Sequence, residues 1–280
     1  MTFLGRRRAA GSGRAAACIG LAVGCGLTLA VSSCSTSSAT TAATLRTHSS
    51  YTLMQMNLCL SGVASCYASR VQYPAGVIEA TARIREEHPD AVTVNEACSG
   101  DVARIGRRTG YHVRFSRVIY NDKPLPCIDP MGRGLFGDAL LTEAPITSTA
   151  THAFETQAGP ERRVWLCAGT RVGVEVCTAH LASHEAVEVA ANGPQCMELS
   201  ALLTRRAVGH TVIFGGDVNG LVSCAPPGFW TRTDRSARQD PGIQQVYGTG
   251  ALRSPTTRVL PALHTDHDFL LVRAYLVKRR

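Results

Sequence analysis

The stretch VIFGGDVNG, Val212–Gly220, runs apolar residues into two glycines and then sets an aspartate and an asparagine two apart. The apolar part is rich in β-branched and aromatic residues and reads as the end of a buried strand. The glycines read as a tight turn at that end, and Asp217 and Asn219 point the same way if the backbone stays extended. A turn explains this composition, and so does a catalytic site. The neighbouring strands decide between them.

A coarse reading places strands at YTLMQMNL (51–58), AVTVNEA (91–97), HVRFSRVIY (112–120), GDALLTEAPI (137–146), RVWLCAGT (163–170), GVEVCTAHL (173–181), HTVIFGGDV (210–218) and HDFLLVRAYLV (267–277). Each is rich in Val, Ile, Leu or aromatics and is bounded by Gly, Pro, Asn or Asp. Two helices are expected. AGVIEATARIREEHPD (75–90) puts Val77, Ala80, Ile84 and Glu87 near one face and stops before Pro89. QCMELSALLTRRAVG (195–209) turns Met197, Leu199, Leu202 and Leu203 toward a core and ends at Gly209. Strands outnumber helices and short turns join several neighbours. The expected fold class is therefore α+β, with mixed or antiparallel sheets and helices packed outside, and not a doubly wound parallel sheet.

The polar residues that end these strands form a set. Asn57 follows YTLMQM, Glu96 follows AVTVN, His180 follows GVEVCTA, Asp217 and Asn219 follow TVIFGG, and Asp266 and His267 precede DFLLVRAYL. One such residue is ordinary, because strand ends need turn formers. If two sheets pack face to face with these ends together, the set converges on one rim. Hard oxygen ligands for a divalent cation and imidazoles for proton transfer are the equipment of phosphoester hydrolysis.

The order MQMN … VNEA … FGDALLT … CTAHL … GGDVNG … HTDHDFLLV resembles the endonuclease/exonuclease/phosphatase superfamily, whose members include deoxyribonuclease I-like nucleases, sphingomyelinases and inositol-phosphate phosphatases. The resemblance covers nearly all of residues 51–280. It implies two packed β-sheets flanked by helices in a four-layer sandwich. It implies that Glu96 ligates a divalent metal, with Asn57 beside it as ligand or phosphate contact. The ion it implies is Mg²⁺, with Mn²⁺ or Ca²⁺ as alternatives. By the same resemblance Asp217 orients or activates the attacking water, and Asn219 holds a phosphoryl oxygen. His267 is the general base or a phosphate contact, with Asp266 orienting it and reaching the metal, and His180 hydrogen-bonds the developing charge.

The chain departs from the pattern in two places. Asp138 stands in FGDALLT where the family often has Asn, and a carboxylate there repels phosphate unless a cation or protonation compensates. Arg133, in MGRGLFGD, is the expected cation. Gln244, in GIQQVYGTG, stands where many members carry an aspartate that supports catalysis; glutamine hydrogen-bonds but cannot accept a proton.

The totals set the compartment. The chain has 280 residues, 45% of them apolar, enough to bury a large core. Its formal charge of +8 is partly local, since Arg6, Arg7, Arg8 and Arg14 precede residue 34 with no acidic residue among them. Residues 1–33 read as an export signal, GRRRAAGSGR followed by the apolar AAACIGLAVGCGLTLAV. Val31-Ser32-Ser33-Cys34 resembles a lipobox with Cys34 as the acylated residue, and a Ser/Thr/Ala-rich tether runs over 34–50 before the domain at 51–280. Eight cysteines remain after the signal and Cys34. An even number in an exported protein favours disulfides. Cys167 with Cys177 is the most legible pair, across a β-hairpin, and Cys196 with Cys224 is a weaker one.

The expectation is an exported, metal-dependent phosphodiesterase, either a cell-surface lipoprotein or secreted. It meets the membrane only through its lipid anchor and works as a monomer on nucleic acid. A sphingomyelinase-, phospholipase- or phosphatase-type enzyme is one alternative, and a non-catalytic binding lipoprotein that keeps the fold is another.

Overall fold

In a computed structural model of the protein, residues 50–277 except Arg70 are described. The export segment, Cys34 and the tether up to residue 49 lie outside the described residues. Two six-stranded sheets carry the architecture. The first contains β1 (Tyr51–Asn57), β2 (Ala91–Cys98), β3 (His112–Arg117), β6 (Phe136–Thr142), β14 (Leu252–Leu260) and β15 (Phe269–Leu276). Its order is β14-β15-β1-β2-β6-β3, with β1 and β2 parallel and the other pairs antiparallel. The second contains β7 (Ile146–Ala153), β9 (Val164–Thr170), β10 (Val174–Ala179), β11 (Thr211–Asp217), β12 (Trp230–Thr233) and β13 (Gln244–Gly248), in the order β12-β13-β11-β10-β9-β7. A small ribbon joins β4 (Ile119–Tyr120), β5 (Lys123–Pro124) and β8 (Glu161–Arg162). The helices are α1 (Ser65–Ser69), α2 (Ala75–Glu87), α3 (Ser99–Thr109) and α4 (Val189–Arg206). Among the described residues no helix is long and apolar enough to cross a membrane.

Alternation along each strand builds the layers. On β1, Tyr51 and Leu53 enter a core between the sheets with Leu140, Leu166, Val176, Ile213 and Val272. Met54 and Met56 point the other way, into a second core with Ile84 of α2 and Ile105 of α3. Phe214 and Tyr247 leave the second sheet toward Leu199, Leu202 and Leu203 of α4. Two face-packed sheets covered by helices are thus the α+β sandwich read from the sequence.

Toward one end the inner faces turn polar. Leu53 gives way to Gln55 and Asn57, Ala91 to Thr93 and Asn95, Ile213 to Gly215 and Asp217, and Val176 to Thr178 and His180, all but Gly215 being buried polar side chains. The paired glycines are not a turn. Both lie within β11. A Cβ on Gly215 would come within 2.5 Å of the Thr93 hydroxyl of the facing sheet, and one on Gly216 within 2.3 Å of the Ala179 carbonyl of β10. Gly215 thus lets the two layers close up just beneath the rim, and Gly216 leaves room for the neighbouring strand of its own sheet.

Several elements differ from the sequence reading. GDALLTEAPI breaks before Pro145 into β6 and β7, which belong to different sheets. HVRFSRVIY likewise divides into β3 of the main sheet and β4 of the ribbon. The last helix begins at Val189 and ends at Arg206, before Gly209, and its Met197 is 69% exposed instead of facing the core. Four disulfides join Cys59–Cys66, Cys98–Cys127, Cys167–Cys177 and Cys196–Cys224.

Candidate active site

All seven strand-end residues meet at the polar end of the sandwich. Asn57, fully buried, donates from Nδ2 to Glu96 Oε1 at 2.9 Å and to Asp217 Oδ2 at 3.1 Å. Its own oxygen accepts the Cys59 N–H at 3.1 Å. One amide thus holds two carboxylates together from below. Glu96 sits on a bulge of β2, where the register slips between Val94 and Ala97, and its φ is +54°. A left-handed glutamate is uncommon, and here the bulge turns its side chain up into the cleft instead of along the pleat. Burial raises the Glu96 carboxyl to about 7, against the Asn57 hydrogen bond, and Asp266 adds to the rise.

His267 lies between two carboxylates, its Nε2 3.8 Å from Asp217 Oδ2 and 3.7 Å from Asp266 Oδ2. Burial alone would lower its pKa, but Asp217, Asp266 and Glu96 together raise it. Its Nδ1 is buried and has no hydrogen-bond partner. Asp217 is held by its own backbone N–H, which donates to Asn95 Oδ1 at 2.9 Å, and its Oδ1 accepts the Asn219 N–H at 3.0 Å. That last bond is an Asx turn. Asn219 is not extended but left-handed, at φ +47°, a conformation asparagine tolerates. The turn swings its Nδ2 back to the Leu181 carbonyl at 3.0 Å and to within 2.9 Å of His180 Nε2.

These groups open into a cleft of ≈ 410 Å³. The loop closed by Cys59–Cys66 forms one wall through Ser61, Val63 and Ala64, and Ser183, Glu185, Val187 and Glu188 form another. Among the described residues six carboxylates line it, those of Glu96, Glu161, Glu185, Glu188, Asp217 and Asp266, and Arg163 is the one arginine or lysine.

Four expected site residues do not line the cleft. Asn57 lies beneath it, fully buried, with its amide used on Glu96, Asp217 and the Cys59 N–H instead of on a metal or phosphate. The other three are Arg133, Asp138 and Gln244. Arg133 is the clearest correction. It is 3% exposed and lies at the foot of α3, where NH1 meets Asp101 Oδ2 at 3.1 Å and NH2 donates to the Leu60 carbonyl at 2.8 Å. It is held there because Asp101 is also fully buried, and it does not offset Asp138. Asp138 lies beneath the rim, its Oδ1 accepting Asn95 Nδ2 at 2.9 Å and its Oδ2 unpartnered. Burial pushes it up to about 7, and the cation whose field opposes that rise is Arg163. Gln244, also fully buried, pairs in register with Asp217 on β13, but its amide donates to the Asp268 carbonyl at 2.7 Å and to Asp234 Oδ2 at 3.2 Å. It braces the stratum below the site.

Arg163 is the residue that sequence reasoning missed. Its NH1 is 2.9 Å from His180 Nδ1 and 2.8 Å from Glu161 Oε1, while NH2 is 2.8 Å from Glu188 Oε2. A signal for it existed. The β9–β10 hairpin pairs Cys167 with Cys177 and Trp165 with Ala179, and continuing that register sets residue 163 opposite residue 181, beside His180.

The family model of the endonuclease/exonuclease/phosphatase family matches residues 57–274. The chain belongs to the endonuclease/exonuclease/phosphatase family. Solved structures share this fold at low identity. The endonuclease/exonuclease/phosphatase protein of Beutenbergia cavernae is 18% identical, covers 82% of this chain and 72% of its own, and gives a TM-score of 0.59. The human Nocturnin catalytic domain with bound sulfate is 14% identical over 83% of this chain and 95% of its own, at 0.61. A mannosyl-6-phosphatase from Bacteroides thetaiotaomicron is 11% identical over 81% of this chain and 100% of its own, at 0.59. Among curated proteins none matches the chain. Members of the endonuclease/exonuclease/phosphatase family are hydrolytic phosphoesterases, and the rim is where this chain gathers groups suited to that chemistry.

Proposed function

We propose that the protein is an exported, divalent-metal-dependent phosphoester hydrolase. The observation that carries this is the Asn57 amide joining Glu96 and Asp217 beside His267, with His180 and Asn219 facing them. The donor set fits a hard cation, because the carboxylates of Glu96 and Asp266 open into the same cleft and Mg²⁺ prefers one or two carboxylates plus substrate oxygens. Glu96 and Asp266 would hold the ion, and when bound it supplies charge for a phosphoryl oxygen and the leaving oxygen. Asp217 orients the attacking water, and the carboxylate-flanked His267 takes up and holds its proton. His180 and Asn219 hold a phosphoryl oxygen as negative charge grows on it.

Extracellular nucleic acid is the substrate expected from the sequence. A second reading, a small phosphodiester or phosphomonoester, is favoured by the cleft wall. A strand of phosphates needs cations to follow its backbone, whereas Arg163 is already shared between Glu161 and Glu188. Export is supported by the disulfides, since all eight cysteines of 51–280 are paired. The lipid anchor on Cys34 is part of the same proposal. Purified protein with Mg²⁺ is assayed on DNA, RNA, sphingomyelin, sugar phosphates and bis(p-nitrophenyl) phosphate, with and without chelator. Turnover of the small esters that chelation abolishes is expected. Faster cleavage of DNA than of any small ester returns the nuclease reading, and no turnover on any substrate contradicts the enzyme.

A further inference from the structure

Part of the cleft lining takes no share in the chemistry. It comes from the β4-β5-β8 ribbon and the chain beside it, as Tyr120, Leu125, Pro160 and Glu161, with Phe136 at the start of β6. Tyr120 on β4 pairs directly with Glu161 on β8. Opposite residues of antiparallel strands share a face, so the phenol ring and the carboxylate stand side by side at the cleft. Backbone bonds fasten this wall. The Asn121 N–H donates to the Pro160 carbonyl at 2.9 Å, and the Phe136 N–H donates to the Leu125 carbonyl at 2.8 Å.

Glu161 stands next to the reacting end. Arg163 NH1 is 2.8 Å from Glu161 Oε1 and 2.9 Å from His180 Nδ1, so one guanidinium nitrogen separates the carboxylate from the imidazole. The two carboxylates that pair with Arg163 are used differently. Glu188 Oε2 accepts Arg163 NH2 and also the Ser183 N–H and hydroxyl, each of these two at 2.9 Å. Glu161 Oε1 is buried and makes its ion pair without a hydrogen bond, while the side chain as a whole is 14% exposed. A carboxylate offers about four lone-pair sites. Glu161 therefore brings to the cleft an accepting capacity that no described residue fills.

An aromatic face takes the flat side of a ring, and an unfilled acceptor beside it takes that ring's hydroxyls. We propose that Tyr120 and Glu161 form a substrate subsite for a hydroxyl-bearing ring esterified to the phosphate, the chemistry shared by a sugar phosphate and the ribose of a nucleotide. Tyr120 packs against the ring, and Glu161 accepts from its hydroxyls. The subsite rests on the proposed phosphoester hydrolysis and adds the class of alcohol that is released. An ester without those hydroxyls leaves Glu161 unpaired in a half-closed site, which is how a polar pocket rejects an apolar analogue.

Two ester pairs test this with Mg²⁺ present. Glucose 6-phosphate is compared with cyclohexylmethyl phosphate, and ribose 5-phosphate with tetrahydrofurfuryl phosphate, each pair keeping the ring and differing in its hydroxyls. Wild type is expected to favour the hydroxylated member of at least one pair by about 10- to 100-fold in kcat/KM. Glu161→Met is expected to bring that ratio to within a few-fold of one. Tyr120→Ala is expected to raise KM for the ring esters several-fold with little change in kcat. Adenosine 5′-monophosphate separates the two sources, since turnover faster than that of ribose 5-phosphate indicates a nucleotide and slower turnover a sugar phosphate. A wild-type ratio near one, or an unchanged ratio in Glu161→Met, overturns the inference. If Glu161→Met does not fold, the wild-type ratio and the Tyr120→Ala KM decide it. Calorimetric binding of the same esters to metal-free protein reads the preference without turnover. That preference without hydrolysis of any ester counts against the proposed function and leaves the subsite standing.

Discussion

Two buried arginines in this chain do different things. Arg133 is closed on all sides by Asp101, the carbonyls of Leu60 and Pro130, and the rings of Tyr73 and Tyr67, whose centroids lie 4.6 and 5.6 Å away. Every donor it has is used to fasten the loop after residue 127 to β1's end and to α3. Arg163 is as buried and also ion-paired, but its Nε has no hydrogen-bond partner, and one nitrogen is turned to a histidine that opens into the cleft. Both arginines are buried and both are ion-paired, so neither property identifies function. The last contact does.

Breaking each arginine in turn separates these roles. Arg133→Met leaves Asp101 buried without its counter-ion, a loss of about 3–5 kcal/mol. The melting temperature is expected to fall by about 10 °C in calorimetry, while the folded protein keeps its kcat. Arg163→Met is expected to show the reverse, a loss of turnover larger than its loss of stability. If Arg133→Met lowers kcat as much as Arg163→Met does, the comparison fails.

A smaller effect sharpens it from below. Asp138 sits in the field of Arg163 but is not paired with it, and burial holds its carboxyl at about 7. The folded chain therefore retains a proton that the unfolded chain releases near pH 4. The stability this represents is fully present below that pH and is lost as pH rises through 7. Asp138→Asn, which keeps the oxygen that accepts from Asn95, is expected to stabilise the protein by about 1–4 kcal/mol at pH 8 and hardly at all at pH 4. Equal melting temperatures of the two proteins at pH 8 would show that Asp138 has found a cation after all.

The positions of the rim residues were legible in the sequence because each ends an apolar strand, and strand ends of two face-packed sheets have few places to go. The α+β layering was legible for the same reason, through alternation along β1, β2, β10 and β11. The edge strands WTRT and LRSPTTRVL were not, since WTRT has no fully buried residue, LRSPTTRVL buries only its two end leucines, and both are polar in composition. Nor was α3, whose SGDVARIGRRT buries only Asp101, Val102, Ile105 and Gly106. Arg133, close to Asp138 in MGRGLFGD, is the cation the sequence suggests there, and Arg163 does not enter that reading. In the fold proximity in sequence gives way to hairpin register, which carries Arg163 to His180 from the start of β9. Gly215 and Gly216 looked like a turn because a close approach to neighbouring atoms, of the facing sheet at Gly215 and of β10 at Gly216, calls for the same residue as a bend does.

The most direct measurement is hydrolysis of bis(p-nitrophenyl) phosphate by wild type and by the His267→Ala/Asp217→Ala double variant, both with Mg²⁺ and both shown folded by circular dichroism. Wild-type turnover that chelation removes, and a fall of about 10³-fold or more in the double variant, is the result expected. Turnover in the double variant within a few-fold of wild type would contradict the assignment of chemistry to this rim.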